Sequence, residues 1–85
     1  MLRIEEPFHG AILIRRHGEE VDGGLKIRVC GEAPLRDYVT VNGATTQRAG
    51  AKFISEIILR EKETEIVAAS EGSFGHHEHR VRVLW

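Results

Sequence analysis

The sequence predicts an all-β domain, a Greek-key β-sandwich of about seven short strands. Three observations carry that expectation. Tyr38-Val39-Thr40-Val41 alternates polar and apolar residues and then breaks at Asn42-Gly43. Asn-Gly places two consecutive residues at positive φ, as a type I′ turn requires, so the break reads as a hairpin. Other alternating runs fill the rest of the chain, and turn residues separate them at roughly 8–12-residue intervals, the spacing of a sandwich.

The elements follow in order. Residues 1–10 read as a lead-in, with Pro7 and Gly10 as breakers, and residues 11–85 as the sandwich. Residues 11–15, Ala-Ile-Leu-Ile-Arg, are expected to form the first strand, and residues 17–24 a polar, Gly-rich loop. Residues 25–30 are the cleanest strand: Leu25, Ile27 and Val29 face one way, Lys26, Arg28 and Cys30 the other. A connection holding Pro34 spans residues 31–37. The hairpin at Asn42-Gly43 follows, its return arm expected over residues 44–48, and Ala49-Gly50 turns the chain again.

Residues 52–59 read as a strand, and a helix over residues 53–64, where Glu and Lys are common, is the rival reading. The β-formers Phe53, Ile54, Ile57 and Ile58 favour strand. Glu61-Lys62-Glu63 is a charged turn, residues 64–70 another strand, 71–75 a loop and 79–84 the last strand. The expected core is Leu25, Ile27, Val29, Val39, Val41, Phe53, Ile57, Leu59, Ile66, Ala68, Val81 and Val83. On the opposite parity, Val67, Ala69 and Leu84 are expected on one outer face with Tyr38 and Thr40, and Ile54 and Ile58 on the other. Apolar residues gathered on an outer face mark a place for a neighbour to dock, unless a local bulge turns them inward.

Composition narrows the function. The 85 residues carry 12 basic and 13 acidic side chains and a formal net charge of -1. The basic residues form no cluster of the kind nucleic acid or an anionic membrane surface needs. No apolar run is long enough for a spanning helix, and the first residues lack the apolar stretch of a signal peptide. Cys30 is the one cysteine, so no intrachain disulfide forms. The sequence stops inside an expected strand, Val81-Arg82-Val83-Leu84-Trp85, as a module within a longer protein would.

Several segments together resemble a known family. Pro7-Phe8-His9-Gly10-Ala11 opens the pattern. Gly24-Leu25-Lys26-Ile27-Arg28-Val29 follows, and a Gly-Glu-Ala-Pro connection leads to Val39-Thr40-Val41-Asn42-Gly43. Lys52-Phe53, Glu65-Ile66-Val67-Ala68-Ala69 and Val81-Arg82-Val83 complete it. In this the chain resembles the bacterial immunoglobulin-like modules typified by glucodextranase domain B. It departs at Glu61-Lys62-Glu63-Thr64, where the family often has a Gly-Glu-Asn turn. The resemblance implies an immunoglobulin-like fold with no catalytic residues and no cofactor. It also implies an accessory role in an exported or surface-bound bacterial protein, carbohydrate-active enzymes among them. The expected partner is a neighbouring domain of the parent chain.

The strongest ligand candidate is Gly75-His76-His77-Glu78-His79. Imidazole and carboxylate suit zinc or nickel, and residues two apart on a strand share a face, so His77 pairs with His79 and His76 with Glu78. A site needs further ligands, for which His9, His17 and Glu71 are available. Without them the segment is a solvated loop, and His79 caps the sandwich mouth beside Val81 and Val83. The alternative function is therefore a ligand-binding module, for glycan or metal, through Phe74, His76, His77 and His79. A glycan needs exposed aromatic platforms, and Phe8, Tyr38, Phe74 and Trp85 are the candidates. Cys30 reads as a plain strand residue, because Arg28 alone gives little to activate a thiol. Ser55, Ser70 and Ser73 sit in no nucleophile elbow.

Overall fold

The structure, a computed structural model, describes residues 2–72 and 75–85, and all their side chains except that of Arg15. Among the described residues there are nine strands and one short 3₁₀ turn, Arg15–His17. The strands are β1 (Arg3–Glu6), β2 (Glu19–Val21), β3 (Gly24–Glu32), β4 (Tyr38–Val41), β5 (Ala44–Thr45), β6 (Gln47–Ala49), β7 (Lys52–Leu59), β8 (Glu63–Gly72) and β9 (Gly75–Leu84). They form two antiparallel sheets packed face to face. One has the order β1-β3-β7-β6, with β2 also on β3; the other has the order β5-β4-β8-β9.

Alternation decides which side chains meet between the sheets. β7 reads exposed, buried, exposed, buried from Lys52 to Ser55, and is a strand throughout, not a helix. Phe53, Leu25, Leu59, Ile66, Val29, Val41 and Val83 are sealed from solvent. The expected core residues are all buried except Ile57, which packs half-buried against the cluster. Ile4, Ala11, Leu13 and Ala33 join them from segments that carry no strong periodicity.

The N-terminal segment differs from expectation. Residues 3–6, inside the lead-in, form β1 and pair with the far end of β3, Arg3 opposite Glu32 and Ile4 opposite Gly31. Residues 11–14 form no named strand. They lie along β9 through one parallel bridge, Ile12 to Leu84. The bonds are Gly10 N to Arg82 O (2.7 Å), Leu84 N to Ala11 O (2.9 Å) and Leu13 N to Leu84 O (2.7 Å). The apolar run is extended, with Ala11 and Leu13 buried and Ile12 and Ile14 exposed, but too little of the β9 edge is paired for a second ladder. The Gly-rich loop also holds a strand, β2, opposite the start of β3.

The hairpin at Asn42-Gly43 forms as expected, with φ of 48° and 83° and Val41 opposite Ala44. Its return arm does not run on to residue 48. After Thr45 the chain crosses to the other sheet and becomes β6 on β7. Arg48 explains the crossing. Its guanidinium donates to the carbonyls of Asp37 (2.8 Å), Pro34 (2.9 Å), Ala33 (3.1 Å), Gly50 (3.1 Å) and Lys52 (3.2 Å). One side chain thus satisfies the backbone of the connection between β3 and β4, which no ladder reaches.

The last hairpin is longer than the expected strands. β8 and β9 pair from Glu63–Leu84 to Gly72–Gly75, so His76, His77 and Glu78 lie on a strand and not in a loop.

Candidate functional site

The outer face of β8 and β9 carries a ladder of charges. Pairing puts Glu71 opposite His76, Ala69 opposite Glu78 and Val67 opposite Arg80. The His76 ring is held at both nitrogens, Nδ1 3.2 Å from Glu71 Oε1 and Nε2 3.2 Å from Glu78 Oε2. Arg80 donates to Glu78 and to Glu65, each at 2.8 Å, and Arg82 pairs with Glu63 at 3.2 Å. Bonds to Glu78 and Glu71 raise the His76 pKa. Arg80 first, and His76 after it, lower that of Glu78. An imidazole between two carboxylates is best satisfied when protonated, with both N–H groups donating. A metal needs the opposite state, a free nitrogen lone pair.

The neighbouring histidines face elsewhere. His77 and His79 lie on the other side of β9 from His76, on the parity of the buried Val81 and Val83. His79 is half-buried, and its Nδ1 accepts the backbone N–H of Ile4 at 2.9 Å. His9 Nδ1 accepts from Arg82 N at 3.0 Å, and His17 Nδ1 from Ile14 N at 2.9 Å. Of the expected donors, only Glu71 comes to the cluster. His76, His77 and His79 do not converge on one point, and among the described residues no three His, Cys, Asp or Glu side chains are placed to hold a metal ion. Phe74, the candidate aromatic beside them, lies outside the described residues, as does Ser73.

The remaining chemistry is sparse. Ser70 stands opposite His77 in the ladder, but its hydroxyl is fully buried and bonds to no protein group. Asp37 Oδ2, on the same inner face, is also buried without a partner; its carboxylate fills the space where Gly72 has no side chain. Neither pairs a nucleophile with a base. Cys30 is half-buried on the outer face of the first sheet, opposite Ile54. Burial, then Glu6 and Glu5, raise its thiol pKa, which makes it less nucleophilic at neutral pH.

A second place was not legible in the sequence. An open cleft of about 370 Å³ lies against the edge of β3, where β1 ends and β2 has not begun. Pro7, Phe8, Ile12 and Ile27 give it apolar walls, with Glu6, His17 and Arg28 also in its lining. Phe8 is 69% exposed there. The other described aromatic candidates are far apart: Tyr38 lies opposite Glu71 at one end of the second sheet, and Trp85 follows Leu84 at the other. The expected outward residues do face out, Ile54 and Ile58 on one sheet and Tyr38 and Leu84 on the other. Val67 and Ala69 are half-buried beside Arg80 and Glu78. Among the described residues no helix is long and apolar enough to cross a membrane.

Compared with protein-family models, curated proteins and solved structures, the chain matches none.

Proposed function

We propose that this chain is a non-catalytic, immunoglobulin-like accessory module that holds neighbouring domains apart in a bacterial exported or surface protein, a carbohydrate-active enzyme being the kind of parent it suits. The observation that carries the reading is where the strand path enters and leaves. Arg3 pairs with Glu32, which pairs with Lys52, at one end of the first sheet. Leu84 pairs with Glu63, and β8 is entered from Leu59, which pairs with Leu25 at the opposite end. β1 therefore enters at one pole and β9 leaves at the other, along a body 38 Å long and about half as wide. Domains joined to those poles are kept apart by a rigid strut.

The strand order supports the immunoglobulin-like part of the reading. β1-β3-β7-β6 facing β5-β4-β8-β9 corresponds to strands ABED facing C′CFG. The chain crosses between sheets after β3, β5 and β7, as that order requires. The charged outer face of β8 and β9 suits a solvated strut better than a buried interface. A ligand-binding module is the second reading, favoured by the cleft at Pro7 and Phe8.

The test is scattering from a fusion carrying one globular reporter before β1 and another after β9. The maximum dimension should exceed that of the two reporters joined directly by about 38 Å, the length of the module. Reporters lying side by side would overturn the strut reading.

A further inference from the structure

We propose that two histidines, His9 and His79, form an acid-sensitive latch that holds the N-terminal segment onto β9. The two bonds are alike in chemistry and distant in sequence. Ile4 N donates to His79 Nδ1 at 2.9 Å, and Arg82 N donates to His9 Nδ1 at 3.0 Å. A backbone N–H can only donate, so each Nδ1 must present its lone pair, and the ring proton sits on Nε2. One bond ties β1 to β9 across the gap between the sheets. The other ties the stretch after Pro7 to the outer edge of β9. His17 repeats the same bond locally, with Ile14 N.

Protonation removes the acceptor in both places, because Nδ1 then carries a hydrogen aimed at another hydrogen. Nearby charges do not compensate. Arg3 and Glu5, which flank Ile4 on β1, pair with each other at 3.2 Å. On β4 and β8 the inner neighbours of His79 are Val41 and Ala68, without charge, and on β9 the nearest titratable side chain on its face is His77. Beside the His9 bond, β9 carries Arg82 and Arg80, whose guanidiniums are turned to Glu63, Glu65 and Glu78. The released segment bares Ile4, Ala11 and Leu13, which are buried when it is docked, and frees the β9 edge at Arg82 and Leu84. Free strand edges pair readily with other chains. The device therefore turns a closed sandwich into one with an open edge as the surroundings become acidic.

A free imidazole in water binds its proton at about pH 6.5. Each proton taken up only by the released form then weakens docking by about tenfold at pH 5.5 relative to pH 7.5. If both latches open in one step the factor is about a hundredfold. The measurement is amide hydrogen exchange on the whole chain at the two pH values, corrected for intrinsic exchange. The Ile4 and Arg82 amides should lose at least tenfold of their protection, while Val29 in the middle of β3 keeps its own. The control is the double variant His79→Asn and His9→Asn, whose amide oxygens accept the same N–H groups without titrating. Protection should then be the same at both pH values. Equal protection of Ile4 and Arg82 in the unaltered protein, or pH dependence surviving in the double variant, would overturn the latch.

Discussion

At Asn42 and Gly43 the backbone adopts φ of 48° and 83°, a conformation that only a few residue types hold without strain. Asn42 is also fixed by its neighbours: its N–H donates to Val67 O, and its Oδ1 accepts from Val67 N, both at 2.8 Å. Space is not the constraint at Gly43, since a Cβ there would meet nothing within 4 Å. Replacing Gly43 with Val therefore isolates the conformational cost, and should destabilise by about 1 kcal/mol or more. An unchanged urea midpoint would mean that the turn relaxes to another type. This turn was legible in two letters because positive φ is a property of single residues. The acceptor role of His79 was not legible. Its donor, Ile4, lies 75 positions away, and nothing in Gly-His-His-Glu-His says which ring nitrogen will meet a backbone amide.

β9 shows what alternation can and cannot predict for an element. Period two put His76 with Glu78 and His77 with His79, and the strand keeps that division. The partners came from β8, whose register brings Glu71 to His76 and Glu65 near Arg80. The ladder has a definite pH sign. The His76 pKa is raised above the 6.5 of a free imidazole, so its contribution is complete below 6.5 and is lost as the pH rises through the raised value. The Glu78 pKa is lowered below 4.5, so its contribution is complete above 4.5 and is lost as the pH falls through the lowered value. Both are complete between those limits. Comparing unfolding midpoints with His76→Gln isolates the imidazole. The unaltered protein should be the more stable at pH 5.5, and the difference should vanish by pH 8.5. A larger difference at pH 8.5 would reverse the assigned sign. All these groups are exposed, so the effect is small and fades with salt.

For the whole molecule, one core holds both sheets. Phe53 is the largest fully buried side chain, and its ring packs against the backbone of Gly31, where a Cβ would come within 2.8 Å of it. Phe53→Ala should cost about 3–5 kcal/mol. A domain of this size has about 5–15 kcal/mol in all, so the variant should be partly unfolded at 37 °C by circular dichroism. A loss under about 2 kcal/mol, measured in urea, would move the centre of the core elsewhere. The sequence alone determined that β7 is a strand, that Asn42-Gly43 turns, and which faces of β3, β4, β8 and β9 point inward. Periodicity and turn chemistry are local, and each is complete within a few residues. Tertiary structure decided the rest. Residues 3–6 became the first strand because the far end of β3 offered them a ladder, whereas residues 11–14 found only part of an edge. The return arm of the hairpin divided because Arg48 gathers the carbonyls of a distant connection. An edge segment has no periodicity of its own to enforce, and takes whatever unpaired backbone the assembled sheets bring within reach.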